Sequence, residues 1–316
     1  MKAGRQHLWW EVCLIVCITA IFARANDQDT AAWQRDLLAW RAQHAADLRK
    51  PDGWLSLAGL EWLQSGDNSV GSAADNKVHL PGGAPAYAAV LRLVGGAVTL
   101  NPPNNLPNGW FSSGLLVDGK PAATQVLRVD ANKDKDNTRL TVGTLTFYLI
   151  RRADRFGVRI KDTHSPALLG FHGLKWYSPN ASYRVTARWV PYNPNKTVPI
   201  ATLIGTVSDA QVPGAAEFSL EGKPYRLEPV IEDPAEPKLF FILRDTTSSS
   251  TTYAACRFLY TGFPDHGIDK PGELVLDFNH LENPPCAYTP YTTCPLPPAG
   301  NRLPIALPVG EQRYHD

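Results

Sequence analysis

The hydrophobic positions along the chain follow two different periods. The segment from Thr30 to Lys50 has apolar residues at helical spacing: Trp33, Leu37, Trp40 and Leu48. Asp29 and Thr30 supply a capping signal before this segment, and Pro51-Asp52-Gly53 stops it. The pattern therefore predicts one N-terminal helix with a single buried face.

After Gly53 the pattern changes to short apolar runs separated by turn residues, which is typical of β strands. Hairpin turns are indicated at Gly95-Gly96, Asp118-Gly119 and Glu221-Gly222. Further apolar runs cover 138–142, 144–151, 157–161, 183–190, 198–207, 238–244, 252–260 and 273–279. We predict a mainly β chain, an antiparallel sandwich or barrel that could comprise two β lobes, behind one N-terminal helix.

The predicted domain organisation is simple. Residues 26–316 are expected to form a single β-rich domain, with a possible boundary between sub-lobes near 161–180, where polar turns flank a short apolar piece. The segment from Asn283 to Pro308 is rich in proline. Proline cannot donate to a strand ladder, so this segment should lie extended across the body rather than form a central strand.

The N-terminus has the layout of a signal peptide. Lys2 and Arg5 precede an apolar run over 12–22, which is followed by Ala23-Arg24-Ala25. We predict cleavage after Ala25 and a periplasmic or extracellular location. A lipid anchor at Cys17 is the alternative, and no later stretch reaches the 18 consecutive apolar residues of a membrane span.

Charge and motifs exclude several function classes. The 31 basic and 30 acidic residues give a net charge of +1, which supplies no long-range field to attract phosphates, so nucleic acid is not an expected partner. The chain has no glycine-rich phosphate loop, no Gly-x-Ser-x-Gly and no His-Glu-x-x-His. We therefore predict no cofactor and no metal, and the oligomeric state stays open.

The cysteines predict one disulfide. Cys13 and Cys17 leave with the signal peptide, whereas Cys286 and Cys294 lie eight positions apart in the proline-rich segment. In an oxidising compartment these two are the natural pair, and closing their loop should contribute about 2.6 kcal/mol. Cys256 is then a buried core residue. A zinc site made of Cys286, Cys294 and His280 is the alternative.

A polar cluster is predicted where two late strands would pair. If 252–260 and 273–279 form a hairpin, strand alternation places Arg257 opposite Asp277, as a partly buried ion pair. Other polar side chains would surround this pair: Asn279, Tyr253 and Asn283. The interpretation is a pocket for a small polar ligand or glycan, and a structural ion pair is the plain alternative.

Two other functions remain open at this stage. A hydrolase could use Asp277 or Asp245 as acid or base, with Arg257 stabilising developing negative charge. A structural envelope protein would need no small ligand. The residues alone leave open whether the protein is an enzyme.

Several strings of residues resemble one protein family. They lie at 51–60, 277–279, 283–288 and 293–298, with Asn301 following. These strings are similar to hallmarks of the secreted bacterial proteins grouped as domain of unknown function 1684, over a range from about Trp33 to Tyr314. The resemblance implies no established activity.

Overall fold

The computed structural model describes residues 29–104, 111–129 and 137–314. The predicted signal peptide over 1–25, its cleavage after Ala25 and the alternative anchor at Cys17 lie outside these residues. Within the described part, none of the helices is both long and apolar enough to cross a bilayer.

The predicted N-terminal helix is confirmed. It covers residues 29–48 and is called α1. Leu37 and Leu48 are buried, whereas Leu38 is exposed, as a helix with one apolar face requires. A second helix, α2, covers Pro166–Leu169. Short 3-10 helices cover Trp54–Ser56, Ala181–Tyr183, Thr246–Ser249, Phe278–His280, Pro285–Ala287 and Ala299–Asn301.

The first β body is a sandwich of two sheets. Its strands are Leu57–Trp62 (β1), Gly66–Gly71 (β2), Val78–His79 (β3), Ala89–Val94 (β4), Ala97–Asn101 (β5), Leu116–Val117 (β6), Lys120–Pro121 (β7), Gln125–Val126 (β8), Arg139–Val142 (β9), Leu145–Arg152 (β10) and Arg155–Asp162 (β11). In the described residues the sheet orders are β1-β11-β10-β9-β6-β7 and β3-β2-β4-β5-β8. A core of buried aliphatic and aromatic residues, including Val70, Leu91 and Phe147, fills the space between them.

The predicted hairpin turns are all formed. Gly95-Gly96 joins β4 to β5, and Asp118-Gly119 joins β6 to β7. Both central residues of each turn have positive φ, for example +48° at Asp118 and +78° at Gly119. That backbone twist suits a two-residue β hairpin, which is why glycine at the second position marks these turns in the sequence.

The second β body contains a four-stranded sheet and a separate hairpin. Its strands are Arg184–Ala201 (β12), Val207–Leu220 (β13), Lys223–Leu227 (β14), Lys238–Leu243 (β15), Arg257–Gly262 (β16) and Gly272–Asp277 (β17). The sheet order is β14-β13-β12-β17, and β15 pairs with β16. Trp189, Phe241 and Leu276 belong to the core between the two. The predicted mainly β, antiparallel sandwich is therefore confirmed.

The predicted pairing of the two late strands is wrong. β16 pairs with β15, where Arg257 lies opposite Leu243, and β17 pairs with β12, where Asp277 lies opposite Arg184. Period-2 alternation predicts which face a side chain occupies, but it does not identify the neighbouring strand. Arg257 and Asp277 consequently lie in different sheets.

The chain after β17 crosses the second body without forming a named strand in the part described. Isolated bridges attach Glu282 to Phe258, Pro295 to Thr202 and Arg302 to Arg244. This agrees with the extended course predicted for the proline-rich segment. A fourth cluster contains residues of α1, of the 3-10 helix that follows it, of the connection between the bodies and of this segment: Leu48, Leu55, Phe171 and Tyr288. The single-domain interpretation with a boundary near 161–180 stays a prediction.

Candidate functional site

Arg257 lies inside the second body. Its guanidinium donates to Asp245 Oδ2 at 3.1 Å, to the Leu307 carbonyl at 2.9 Å and to the Val309 carbonyl. The side chains of Arg257 and Asp245 are both fully buried. The predicted Arg257–Asp277 pair is therefore wrong. Arg257 instead ties the end of β15 to the C-terminal segment, with no surface open to a ligand from solvent.

Asp245 and Asp277 both cap 3-10 helices. Asp245 accepts from the Thr247 amide at 2.8 Å. Asp277 accepts from the backbone and side-chain nitrogens of Asn279, at 3.0 and 2.9 Å, and from the Trp33 indole at 2.6 Å. Burial would raise the pKa of Asp277, but hydrogen bonds from His280, Trp33 and Asn279 outweigh it and lower that pKa. An ionised and fully bonded carboxylate is poorly suited to transfer protons at neutral pH.

A second polar cluster lies where α1 meets the C-terminal segment. It comprises His44, Glu282, Tyr288 and Glu311, and we call it the junction site. His44 Nδ1 lies 3.4 Å from Glu282 Oε2, and His44 Nε2 lies 3.4 Å from Glu311 Oε2. The Tyr288 hydroxyl donates to Glu311 Oε1 at 2.7 Å. One imidazole is thus held between two carboxylates.

The position of Glu311 is fixed by its neighbours in the C-terminal segment. Asn283 donates to its two carboxylate oxygens through the backbone amide, at 2.9 Å, and through Nδ2, at 2.8 Å. Gly310 precedes it with φ +77°, and a Cβ there would lie 2.5 Å from the Leu281 carbonyl oxygen. Glycine therefore permits the close approach that brings Glu311 into the site. Asn283, predicted to contact a ligand, supports Glu311 here.

The side chains of the junction site differ in their exposure to solvent. The Glu282 side chain is 19% exposed and that of His44 15%, whereas Glu311 is fully buried. Trp40 stacks on the His44 ring at 5.5 Å between centroids, and Trp176 meets the same ring edge-on at 5.9 Å. Glu282 is therefore the more exposed of the two glutamate side chains, and two partly exposed aromatic rings lie beside His44.

The electrostatics of the junction site favour proton exchange near neutral pH. Burial raises the pKa of Glu282 to about 7, with the charge of His44 opposing this shift and that of Glu311 adding to it. Burial alone would lower the pKa of His44, but the hydrogen bond to Glu311 and the charges of both glutamates raise it above its ordinary value. A carboxyl with a pKa of about 7, beside an imidazole whose pKa is raised, can exchange protons as acid and base.

His44, Glu282 and Glu311 were not predicted as site residues from the sequence. A signal was present for His44, because it lies four positions after Trp40 and seven after Leu37, on the buried face of α1. Glu282 and Glu311 come from a segment with neither helical nor strand periodicity. No pattern in the sequence indicates that they meet.

The three cysteines in the described part of the chain are free thiols. Cys286 and Cys294 are adjacent, as predicted, and the Cys286 amide donates to Cys294 Sγ at 3.2 Å. The disulfide itself stays a prediction. The Tyr253 hydroxyl donates to the Cys286 carbonyl at 3.1 Å, so Tyr253 lies beside the thiols rather than beside Arg257.

The alternative zinc site is not formed. Among the described residues no group of three histidine, cysteine, aspartate or glutamate side chains is placed to hold a metal ion. This covers the suggested set of Cys286, Cys294 and His280.

Comparison with known proteins supports the family resemblance over part of the chain. Residues 169–312 match the family described as "Protein of unknown function (DUF1684)". The match begins after the first β body, later than the expected start near Trp33. It contains Glu282, Tyr288 and Glu311, whereas His44 lies outside it. Among curated proteins, none matches this chain.

Two solved structures are similar to parts of the chain. The solution NMR structure of an uncharacterized protein from Haloarcula marismortui is 28% identical, covers 45% of this chain and 77% of its own, and has a TM-score of 0.39. A structure from an analysis of phosphothreonine-dependent FHA domain interactions is 18% identical, covers 32% of this chain and 92% of its own, and has a TM-score of 0.20. At these TM-scores neither structure informs the function of this chain.

Proposed function

We propose that the protein is exported and that its junction site binds a small polar ligand of the glycan type. The observation that carries this proposal is the carboxyl of Glu282, on a partly exposed side chain, which has a pKa of about 7 beside the imidazole of His44. Strongly shifted titratable groups at a solvent opening are typical of binding and catalytic sites.

The surroundings of Glu282 match the chemistry of a sugar. A glycan presents hydroxyl groups that both donate and accept hydrogen bonds, which a carboxyl and an imidazole can meet together. It also presents apolar ring faces, which pack on aromatic side chains such as the partly exposed Trp40 and Trp176. Glu311 and Tyr288 lie beneath, and they fix the imidazole from the buried side.

Hydrolysis is the second candidate, and the pKa of Glu282 favours it. A carboxyl that is half protonated near neutral pH can donate a proton to a leaving oxygen, and the nearby imidazole can accept one. The proposed acid is therefore Glu282. Asp245 is fully buried, and the pKa of Asp277 is lowered.

Ligand binding is tested by titrating the mature protein with a panel of neutral, acidic and amino sugars while the unfolding midpoint is recorded. We expect one class to raise the midpoint. Glu282→Gln should weaken that binding roughly 10- to 100-fold, because it removes a hydrogen bond to a charged group. Glu273→Gln, at an exposed residue on β17, is the matched control and should bind normally.

The outcomes separate the candidates. Product release from an oligosaccharide that falls about 100-fold or more in Glu282→Gln would establish hydrolysis. If no sugar shifts the midpoint, or if the ligand binds equally well to Glu282→Gln and His44→Gln, the ligand proposal fails and the junction site serves only to dock α1. Export is tested by N-terminal sequencing of the recovered protein, which should begin at Asn26.

A further inference from the structure

Hydrogen-bond donors surround the sulfur of Cys294. The Cys286 amide donates to Cys294 Sγ at 3.2 Å, and the Thr292 hydroxyl lies 3.5 Å from the same sulfur. The Cys286 thiol is hydrogen-bonded to it as well. Donors at these positions stabilise a thiolate more than a thiol.

A positive charge from the first β body adds to these donors. The Arg159 side chain of β11 is buried, and its charge lowers the pKa of Cys294. The hydrogen bonds from Cys286 and Thr292 lower it too, and together they exceed the opposing effect of burial. The same sulfur–sulfur contact raises the pKa of Cys286. The two thiols are therefore chemically unequal.

The two sulfurs also differ in access. Cys294 is 5% exposed, whereas Cys286 lies in the 3-10 helix Pro285–Ala287 and is half-buried. An external thiol approaching a bond between them reaches Cys286 first. Thiol–disulfide exchange is fastest when the attacked sulfur is accessible and the departing sulfur is a stable thiolate.

We propose that Cys286 and Cys294 form a reversible redox couple, whose disulfide is readily reduced and is not a permanent structural disulfide. An incoming dithiol attacks Cys286 Sγ as a thiolate, the bond between the two protein sulfurs breaks, and its electron pair leaves on Cys294 Sγ. The second thiol of the reductant then attacks the mixed disulfide and releases Cys286. Two electrons and two protons pass to the protein, and the reductant becomes a disulfide; an external disulfide drives the reverse reaction.

The proposal of this couple does not rest on the junction-site ligand, although the ring between the two cysteines contains Tyr288 of the junction site. Stabilising the Cys294 thiolate stabilises the reduced form, so it shifts the couple toward reduction. The nine-residue ring from Cys286 to Cys294 would open and close within the C-terminal segment.

The test is a redox titration of the mature protein in buffers of reduced and oxidised glutathione. After each equilibration, free thiols are trapped by alkylation and counted by mass spectrometry. We expect Cys286 and Cys294 to become protected together, with a midpoint inside the glutathione range. If the two cysteines stay oxidised throughout, they form a structural disulfide, and if they never oxidise, they do not form a redox couple. Either result overturns the proposal.

Two threonine variants test the role of the donors. Thr292→Val removes a donor from Cys294, so the equilibrium constant should shift three- to tenfold toward the disulfide, a change of about 14–30 mV. Thr289→Val is the control, because Thr289 is buried in the same ring and accepts from the Tyr291 amide instead. Equal shifts in both variants would refute the donor role, and the wild-type titration decides reversibility even if Thr292→Val fails to fold.

Discussion

Arg257 illustrates how the role of a charged side chain depends on the groups that surround it in the folded protein. Its guanidinium is fully buried, and it contacts one carboxylate and carbonyls of the C-terminal segment. Removing one partner of such a pair leaves a buried charge uncompensated. The residue therefore bears on stability rather than on recognition.

We expect Arg257→Ala to lower the free energy of unfolding by about 3–5 kcal/mol, because Asp245 then stays buried without its partner. Arg188→Ala is the control, since Arg188 is mostly exposed and pairs with Glu217 at the surface. That change should cost about 1 kcal/mol or less. Urea denaturation of both variants measures the difference. A fully stable Arg257→Ala protein would contradict the structural role.

Residue-level chemistry was predictable only where it is local. Asp245 directly follows the apolar run predicted over 238–244, and it accepts from the Thr247 amide two residues later. The partner of Arg257 was not predictable, because the residues that contact it come from 245 and from 307–309. Strand alternation places a side chain on a face, and only the tertiary fold determines what lies opposite.

At the scale of elements, turn chemistry was the most reliable signal. Glycine after Asp118 and after Glu221 marked two-residue turns with positive φ, and both join the expected strands. The pairing of β16 with β17 was predicted wrongly because β15, its actual partner, and β17 are both apolar strands of six residues. Helix α1 was predictable from its spacing alone, including the face that carries His44.

The docking of α1 should depend on its buried face. We expect Leu37→Ala to lower the free energy of unfolding by about 2–5 kcal/mol, because Leu37 is fully buried and its truncation leaves a cavity. Leu38→Ala is the matched control, because Leu38 is the next residue and is 54% exposed. It should change the free energy of unfolding by no more than about 0.5 kcal/mol. Thermal and urea unfolding measure both. Equal effects would mean that α1 is not packed as described.

At the scale of the whole molecule, the junction site makes stability depend on pH. The folded pKa of Glu282 is about 7, above its ordinary 4.5, so the folded chain retains a proton that the unfolded chain loses. This contribution is complete below pH 4.5 and is lost as pH rises through 7. The raised pKa of His44 acts in the same direction, since its contribution is present below 6.5 and is lost as pH rises through its folded value.

Stability should therefore fall between pH 5 and pH 8. In Glu282→Gln the loss of unfolding free energy between these pH values should be smaller by up to about 3 kcal/mol, because glutamine does not titrate. Urea denaturation at both pH values measures the slope. Glu273→Gln, on the exposed face of β17, should keep the wild-type slope, and an unchanged slope in Glu282→Gln would contradict the assignment.

The junction site brings together residues that lie far apart in sequence, since its imidazole comes from α1 and its buried carboxylate from Glu311. A fragment limited to the family match, 169–312, would keep both glutamates but lose the imidazole between them. During synthesis the imidazole of His44 would meet both glutamates only after Glu311 had been added. The intact junction site therefore requires that the chain from His44 to Glu311 has been synthesised and folded.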